Sequence, residues 1–233
     1  MRRLFSFFIF TLTLLLAASA SAATITINDV DGFWQNPNPV AGITILNGDP
    51  TSTISWGTTT GQKSSYQFTS QVPGPSVVVP PTSAWLDLGD FAHNNYPIGA
   101  PVLLSTDLRL DLAMVIDGDN VPKSFIYTFY HEETPNAEPC AYGGLCNDKV
   151  TISAPSAGVF DVDGVTYTLE LRFSTDNGAT TVTEFITSET ATNRADLFGR
   201  FTSEITPVPE PATLLLLGCG LMGLWGFRKK IKK

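Results

Sequence analysis

The stretch Leu108-Arg-Leu-Asp-Leu-Ala-Met-Val-Ile-Asp117 decides the fold class of this chain. Large apolar residues occupy every second position from Leu108 to Ile116, and Arg109 and Asp111 are among the residues between them. Successive side chains of a β-strand point to opposite faces, so this alternation predicts a strand with one face in a core. Such a half-buried strand is typical of an antiparallel sheet.

A similar strand follows after a short turn. The stretch Ser124–His131 places Phe125, Tyr127 and Phe129 on one face together with His131. The residues 117–120, Asp-Gly-Asp-Asn, have the composition of a tight turn. The two strands are therefore predicted to form an antiparallel hairpin.

A second hairpin is predicted at residues 160–173. Asp163-Gly164 is a preferred two-residue turn, because both central positions of such a turn require positive φ. The stretch Val165–Phe173 that follows alternates apolar and polar residues along its whole length. Short alternating runs separated by turn residues recur through the chain, while sustained helical periodicity does not. The prediction is an all-β, antiparallel β-sandwich, with a jelly-roll-like arrangement as the alternative.

The N-terminal part of this β domain is predicted to consist of short pieces. Thr24–Ile27 and Gly42–Leu46 alternate as strands do, and residues 28–32 and 36–39 between them have turn composition. Prolines on both sides of Val77–Val79 predict a short strand or a strand at a sheet edge.

Both ends of the chain carry sorting features. Residues 1–22 combine Arg2 and Arg3, an apolar core and the final Ala20-Ser-Ala22, which predicts a signal peptide removed by signal peptidase. Residues 207–233 combine Val208-Pro209-Glu210-Pro211, sixteen mostly apolar residues (212–227) and five basic residues. This composition predicts one C-terminal transmembrane helix with its end in the cytoplasm. The body between these segments is one predicted domain, residues 23–206.

The tail resembles the PEP-CTERM sorting signal of Gram-negative bacteria in its Pro-Glu-Pro motif, its apolar span and its basic end. The resemblance implies that Val208-Pro209-Glu210-Pro211 is the sorting motif and that an exosortase cuts the chain at its Pro-Glu-Pro. The precursor would be held in the inner membrane with its domain in the periplasm. The released protein would then reach the cell surface or the extracellular space.

The body is strongly acidic. Residues 23–206 hold seven basic residues against 21 acidic ones. A surface of this charge repels phosphate groups, which argues against nucleic acid and anionic lipid as partners. Polycations, divalent metals and neutral glycans, including an exopolysaccharide, stay open as partners.

The two cysteines of the body, Cys140 and Cys146, are six residues apart. Export into an oxidising compartment favours a disulfide between them. The alternative, a zinc site, would need two more ligands, and His131 does not have the spacing of a zinc finger.

Four residues form a candidate site or a structural loop: His93, Asn94, His131 and Glu132. The two histidines could meet across the sheet as ligands or as acid and base, with Asp87, Asp90 or Glu132 completing the site. In the structural alternative, His93 and Asn94 hydrogen-bond the backbone of a loop that follows a strand.

Acidic turns raise the question of calcium. Asp117 with Asp119, and Asp161 with Asp163, place oxygen ligands two residues apart, but neither pair continues into a twelve-residue calcium loop. Hairpin turns favour the same residues, so the expectation is no cofactor and no resident metal, with calcium as a weak candidate.

Aromatic residues could form a platform that stacks on sugars, or they could fill the core. The members of the possible platform are Trp34, Trp56, Trp85, Tyr66, Tyr96 and Tyr130.

The body also resembles the choice-of-anchor K family of exported domains. The resemblance rests on residues 56–57, 88–98, 131–136, 146–150 with Cys140, and 193–199. It departs at Ala92, where the family pattern has Thr, and it implies a fold and a location but no activity. P-loop, G-x-S-x-G and H-E-x-x-H motifs are missing from the chain. The expected role is a non-enzymatic structural or adhesive component of the extracellular matrix or biofilm. Alternatives are a glycan- or calcium-binding module and a glycan-active hydrolase that uses a carboxylate pair.

Overall fold

The computed structural model describes residues 23–74, 76–79, 82–135, 140–143, 146–153 and 158–205. All regular elements in these ranges are β-strands: β1 (Ala23–Asn38), β2 (Thr44–Leu46), β3 (Thr51–Trp56), β4 (Ser64–Ser70), β5 (Val77–Val79), β6 (Leu86–Asn95), β7 (Ser105–Ile116), β8 (Asp119–Asn120), β9 (Lys123–Glu132), β10 (Asp148–Ile152), β11 (Val159–Val162), β12 (Val165–Ser174), β13 (Glu184–Thr187) and β14 (Ala191–Ile205).

The predicted signal peptide, the Val208-Pro209-Glu210-Pro211 motif and the predicted transmembrane helix lie outside the described residues. Within the described ranges, no helix has the length and apolar character that crossing a membrane requires.

The strands form two curled antiparallel sheets that enclose the core between them. Sheet I has the order β13-β10-β9-β7-β1-β5, with β8 paired to β7, and sheet II has the order β11-β12-β14-β6-β4-β3-β2. Every strand pairing within the two sheets is antiparallel. The predicted all-β antiparallel architecture is confirmed.

The two predicted hairpins are present. β7 and β9 are neighbours in sheet I, and their turn begins at Asp117 and Gly118, with φ of 50° and 98°. β11 and β12 are joined by Asp163 and Gly164, with φ of 50° and 79°. The alternating apolar residues of β7, from Leu108 to Ile116, are all buried. Period-two patterning therefore identified the inward faces correctly.

The prediction of short N-terminal pieces was confirmed for β2, a three-residue strand within the predicted Gly42–Leu46, and was wrong for the first piece. β1 continues from Ala23 to Asn38, through residues 28–32 and into residues 36–39, although both segments have turn composition. Its pairing with β7 shifts between Ile27 and Asp29, which marks a β-bulge. The extra residue of a bulge changes the parity of a strand, so Ile27 and Val30 both point into the core although they are three residues apart. By contrast, the proline-bracketed β5 is a three-residue strand at the edge of sheet I, as predicted.

Aromatic rings join the two sheets at the centre of the core. Trp34 of β1 is 1% exposed, and its ring lies 5.7 Å from Tyr66, 6.4 Å from Phe91 and 5.3 Å from Phe129. Tyr66 and Phe91 belong to sheet II and Phe129 to sheet I. A hydrogen bond crosses the same interface, because the Tyr127 hydroxyl donates to the backbone carbonyl of Leu169 at 2.8 Å.

Candidate functional site

Four strands change from apolar to polar side chains at the same end of the sandwich. In each strand, every second side chain points inward, and the last apolar side chain before the polar ones is a buried Phe or Val. The rows continue into residues that carry nitrogen or oxygen donors: Phe129, His131 and Glu133 at β9; Val150 and Asp148 at β10; Phe185, Thr187 and Glu189 at β13; Phe91, His93 and Asn95 at β6. We call His93, His131, Glu133, Asp148 and Glu189 the polar cluster.

The two histidines of the chain meet inside the sandwich. His93 lies on sheet II and His131 on sheet I, and their ring centroids are 5.2 Å apart. Both side chains are completely buried, and the indole of Trp56 stacks on His93 at 5.7 Å. Burial, and next to it the charge of His131, lowers the pKa of His93 well below its usual value. His93 is therefore neutral at physiological pH.

Three carboxylates complete the polar cluster. A Glu133 oxygen lies 3.1 Å from His131 Nε2, and an Asp148 oxygen lies 3.9 Å from the same nitrogen. Burial raises the pKa of Asp148 to about 6, against an opposing hydrogen bond from the Thr134 backbone N–H. Burial raises the pKa of Glu189 to about 7, and the charges of Asp148 and Glu133 add to this effect. Burial and the neighbouring negative charges therefore make the loss of a proton from Asp148 and from Glu189 unfavourable.

Each histidine uses Nδ1 to contact a hydroxyl group, which leaves Nε2 facing the polar cluster. His131 Nδ1 lies 2.6 Å from the Tyr66 hydroxyl, and His93 Nδ1 lies 2.8 Å from Thr187 Oγ1. The Thr187 hydroxyl also donates to the backbone carbonyl of Asp148 at 3.5 Å. Thr187 Oγ1 is then the acceptor for the His93 Nδ1 proton. This arrangement assigns a free lone pair to His93 Nε2.

The predicted disulfide lies next to this site. Cys140 and Cys146 are bonded in the connection between β9 and β10, which also carries Glu133 and leads to Asp148. Thr134 ties the connection down, because its hydroxyl donates to the Cys146 carbonyl at 2.6 Å and its backbone N–H donates to Asp148 Oδ1 at 2.8 Å.

The other proposed members of the histidine site lie elsewhere. Glu132 points to the opposite face from His131 and pairs with Lys149 at 2.9 Å. Asn94 bonds Ser65 and Thr192 on the outer face of β6. The structural alternative placed His93 in hydrogen bonds to the backbone of a loop, and this was also wrong. His93 lies inside strand β6, and its side chain contacts the hydroxyl group of Thr187. Asp87 is partly exposed and Asp90 is exposed, so neither residue completes the site.

The four calcium candidates lie in the two hairpins, where two of them accept hydrogen bonds. Asp117 Oδ1 accepts a hydrogen bond from the backbone N–H of Thr24 at 2.8 Å, and Asp161 Oδ1 accepts one from the Thr166 hydroxyl at 2.6 Å. Asp119 and Asp163 are exposed in the two hairpins. Among the described residues, the clusters of side chains with metal-ligating atoms include none of these four.

The aromatic platform is not assembled. Trp34, Trp56 and Tyr66 are at most 1% exposed and belong to the core, so they cannot stack on a sugar. Trp85 is partly exposed and packs under the guanidinium of Arg200 at 4.3 Å, while Tyr130 is exposed on the outer face of β9. Tyr96 is partly exposed. Of the two alternatives, core filling applies to Trp34, Trp56 and Tyr66, and the platform of all six residues is not formed.

Sequence reasoning missed Glu133, Asp148 and Glu189. One signal was available for Glu133, since the row Phe125, Tyr127, Phe129 and His131 continues to residue 133 and not to 132. The same parity relates Asp148 to Val150 and Ile152 on β10. The convergence of these rows depends on the order of the strands, for which the sequence carries no comparable pattern.

Because the pKa of Asp148 is raised, we expect the stability of the protein to depend on pH. A chelator in the buffer keeps metal ions from the carboxylates during this measurement. Because the folded pKa lies above the unfolded value near 3.8, the folded state keeps its proton longer. The stability that this carboxyl contributes is complete below about pH 4, and it is lost as pH rises through about 6. We expect thermal unfolding to show a loss of roughly 2 to 3 kcal/mol across this window.

The substitution Asp148→Asn keeps the side-chain oxygen that accepts the Thr134 N–H and removes the titrating group. We expect this variant to be more stable than the parent above pH 7 and to lose the part of the pH dependence that Asp148 contributes, while the part that Glu189 contributes, with its pKa raised to about 7, remains. Asp119→Asn, a charge-matched change in an exposed hairpin, serves as the control. An unchanged pH profile in Asp148→Asn would contradict the assignment.

Comparison with known proteins identifies one segment. Residues 207–230 match the family model described as the PEP-CTERM protein-sorting motif. This match confirms the resemblance of the tail and implies an exosortase-sorted extracellular protein, made as a membrane-anchored precursor and then exported to the cell surface. A search of curated proteins finds no match to the chain.

Proposed function

We propose that this chain, once sorted, serves as a non-enzymatic structural or adhesive component of the cell surface or biofilm matrix. The observation that carries the proposal is the sorting motif at residues 207–230, which directs the protein to processing by an exosortase. We propose further that the body is a choice-of-anchor K domain, that residues 1–22 are removed by signal peptidase, and that the domain passes through the periplasm while the tail is in the inner membrane.

The construction of the body supports a non-enzymatic role. The side chains of His93 and His131 have no exposed surface, so a polymeric substrate does not reach them in this conformation. Oxygen atoms of Glu133, Asp148 and Glu189 lie within 4.8 Å of one another. Carboxyl pairs of glycoside hydrolases are roughly 5 to 9.5 Å apart and flank a groove, which makes these residues a poor match for the hydrolase alternative.

Deletion of residues 206–233 tests the sorting part of the proposal. We expect the shortened chain to lose surface display, to the level seen for the intact chain in cells that lack the exosortase. Surface labelling of intact cells, normalised to total protein, gives the measurement. Circular dichroism and thermal unfolding of the purified variant check that the domain still folds. Surface display that is unchanged by the deletion would overturn the proposal.

A finer variant separates recognition from anchoring. Glu210→Ala together with Pro209→Ala changes the motif and leaves the apolar span and the basic end intact. We expect this precursor to accumulate uncut in the membrane fraction, detected by its larger mass. A matched double change within the apolar span, Leu214→Ala with Leu215→Ala, leaves the motif intact, so cutting should continue.

A further inference from the structure

The polar cluster brings ligand atoms from both sheets to one point. Ligand atoms of His93, His131 and Asp148 lie within 4.8 Å of one another, and so do those of Glu133, Asp148 and Glu189. Asp148 belongs to both groups, which makes the five residues one continuous site. Sheet II supplies His93, the adjacent ends of β9 and β10 supply His131, Glu133 and Asp148, and the β13–β14 turn supplies Glu189.

Several of these buried atoms lack hydrogen-bond partners. Across the described part of the chain, His93 Nε2 and Asp148 Oδ2 have no hydrogen-bond partner. The Asn95 side chain and the Thr190 backbone N–H approach Glu189, but neither of its carboxylate oxygens has a hydrogen bond of full geometry. His93 and Asp148 are 0% exposed, and Glu189 is 8% exposed. Native proteins rarely leave such atoms unpaired, because each atom loses its hydrogen bonds to water on folding and forms none within the protein, which lowers the free energy of unfolding. A bound ligand that accepts lone pairs would satisfy all of them together.

The charge of the polar cluster indicates the sign of that ligand. Three carboxylates converge, and none of the ion pairs formed by the described residues joins them to Lys or Arg. The nearest ionisable partners are the two imidazoles. Buried carboxylates without a cation are strongly disfavoured, so the missing partner is positively charged.

The donor types select the class of cation. Calcium and magnesium prefer oxygen ligands alone, whereas two imidazole nitrogens with carboxylate oxygens suit Zn²⁺ and neighbouring divalent transition metals. The contacts of each Nδ1 with Tyr66 and Thr187 resemble the outer hydrogen bonds that hold metal-binding histidines in place. Four ligands at about 2.0 to 2.2 Å from a tetrahedral zinc ion are about 3.3 Å apart. The ligand atoms of His93, His131 and Asp148 therefore have to approach one another by at most about 1.5 Å, and Glu189 has to approach the two histidines from its position beside Asp148.

We propose that the polar cluster binds one divalent transition-metal cation of the Zn²⁺ class, through His93 Nε2, His131 Nε2, Asp148 Oδ2 and a Glu189 oxygen. When the metal binds, Glu133 loses its contact with His131 Nε2 and its carboxylate lies beside the metal. The bound ion connects the two sheets and fixes the disulfide-bonded connection between β9 and β10. This is a structural metal site, and it does not depend on the sorting of the protein.

A route to the site exists on the surface. An open cleft of about 580 Å³ has His131, Glu133 and Thr134 among the residues of its wall. The Glu133 side chain is 14% exposed, whereas the side chains of His131 and Asp148 are 0% exposed. Rotation of this side chain would admit a cation from the cleft.

The test uses the full-length chain, purified in mild detergent, stripped with a chelator and then titrated with Zn²⁺. We expect calorimetry to give one Zn²⁺ per chain and elemental analysis of the dialysed complex to give the same ratio. Zn²⁺ at a hundredfold excess over its dissociation constant should raise the melting temperature by about 5 to 10 °C. Co²⁺ in place of Zn²⁺ should show visible absorption bands of a nitrogen- and oxygen-ligated ion.

Matched variants make the result decisive. His93→Gln and Asp148→Asn should each lose stoichiometric binding and the rise in melting temperature. Glu132→Gln, one residue from Glu133 but on the outer face, should retain both. Asp148→Asn is nearly isosteric, so it serves if His93→Gln does not fold. Absence of a stoichiometric Zn²⁺ in the parent, retention of binding in Asp148→Asn, or an equal response to Ca²⁺ would each overturn the proposal.

Discussion

Replacing Trp34 with alanine is expected to lower the free energy of unfolding by about 3 to 5 kcal/mol. The indole is 1% exposed and contacts aromatic rings of both sheets, so its removal opens a cavity between them. The substitution also removes a buried hydrogen bond from Trp34 Nε1 to the Ser52 carbonyl, at 3.2 Å. Urea unfolding followed by fluorescence or circular dichroism gives the measurement.

Trp85→Ala is the matched control, because it removes the same side chain from a partly exposed position. Its ring packs against Arg200, an interaction at the surface that contributes about 0.5 to 1 kcal/mol. We expect the control to cost less than half as much as Trp34→Ala. Equal effects of the two substitutions would show that Trp34 does not join the sheets.

Gly89→Ala is expected to destabilise the protein by about 3 to 5 kcal/mol. Gly89 has φ of +147°, which side chains rarely allow, and it lies where the pairing of β6 with β14 shifts. A Cβ atom there would lie 2.3 Å from the backbone oxygen of Thr69, on the neighbouring strand β4. Because the obstacle is backbone, relief requires the strands to separate. A melting-temperature measurement tests this expectation.

Gly74→Ala provides the comparison. A Cβ atom at Gly74 meets no atom of the described residues within 4 Å, and its φ lies outside the range that disfavours side chains. We expect a change within about 0.5 kcal/mol. If Gly89→Ala is equally mild, the close approach of β4 and β6 at this position is not rigid.

The fold was predictable where strands are regular. Residues of β7, β9 and β12 alternate without interruption, so their inward faces followed directly from the sequence. β1 was not predictable in the same way. Its bulge at Asn28 and Asp29 changes the parity within the strand, and the Asn and Asp residues that accommodate a bulge also favour turns. Local composition therefore could not distinguish a bulged strand from two short ones.

The candidate site was only partly predictable. The inward face of His131 followed from its strand, and the possibility of a meeting with His93 across the sheet was considered. The carboxylates were missed because Glu132 was considered in place of Glu133, and because Asp148 and Glu189 lie in short elements with little periodicity. Their proximity arises from the order β13-β10-β9 in sheet I. Strand order depends on pairing between distant parts of the chain, and the alternation of apolar and polar residues within one strand does not determine it.

The position of β14 has a mechanical consequence for a protein that is held by its tail. β14 ends at Ile205, beside the sorting segment, and it is paired on both sides, with β12 from Val165 to Ser174 and with β6 from Leu86 to Asn95. Antiparallel hydrogen bonds run perpendicular to their strands, so traction along β14 loads both ladders in shear. Many bonds must then fail together instead of one after another. The domain is therefore built to withstand pulling on its C-terminal strand, from the side on which the tail anchors the precursor in the membrane.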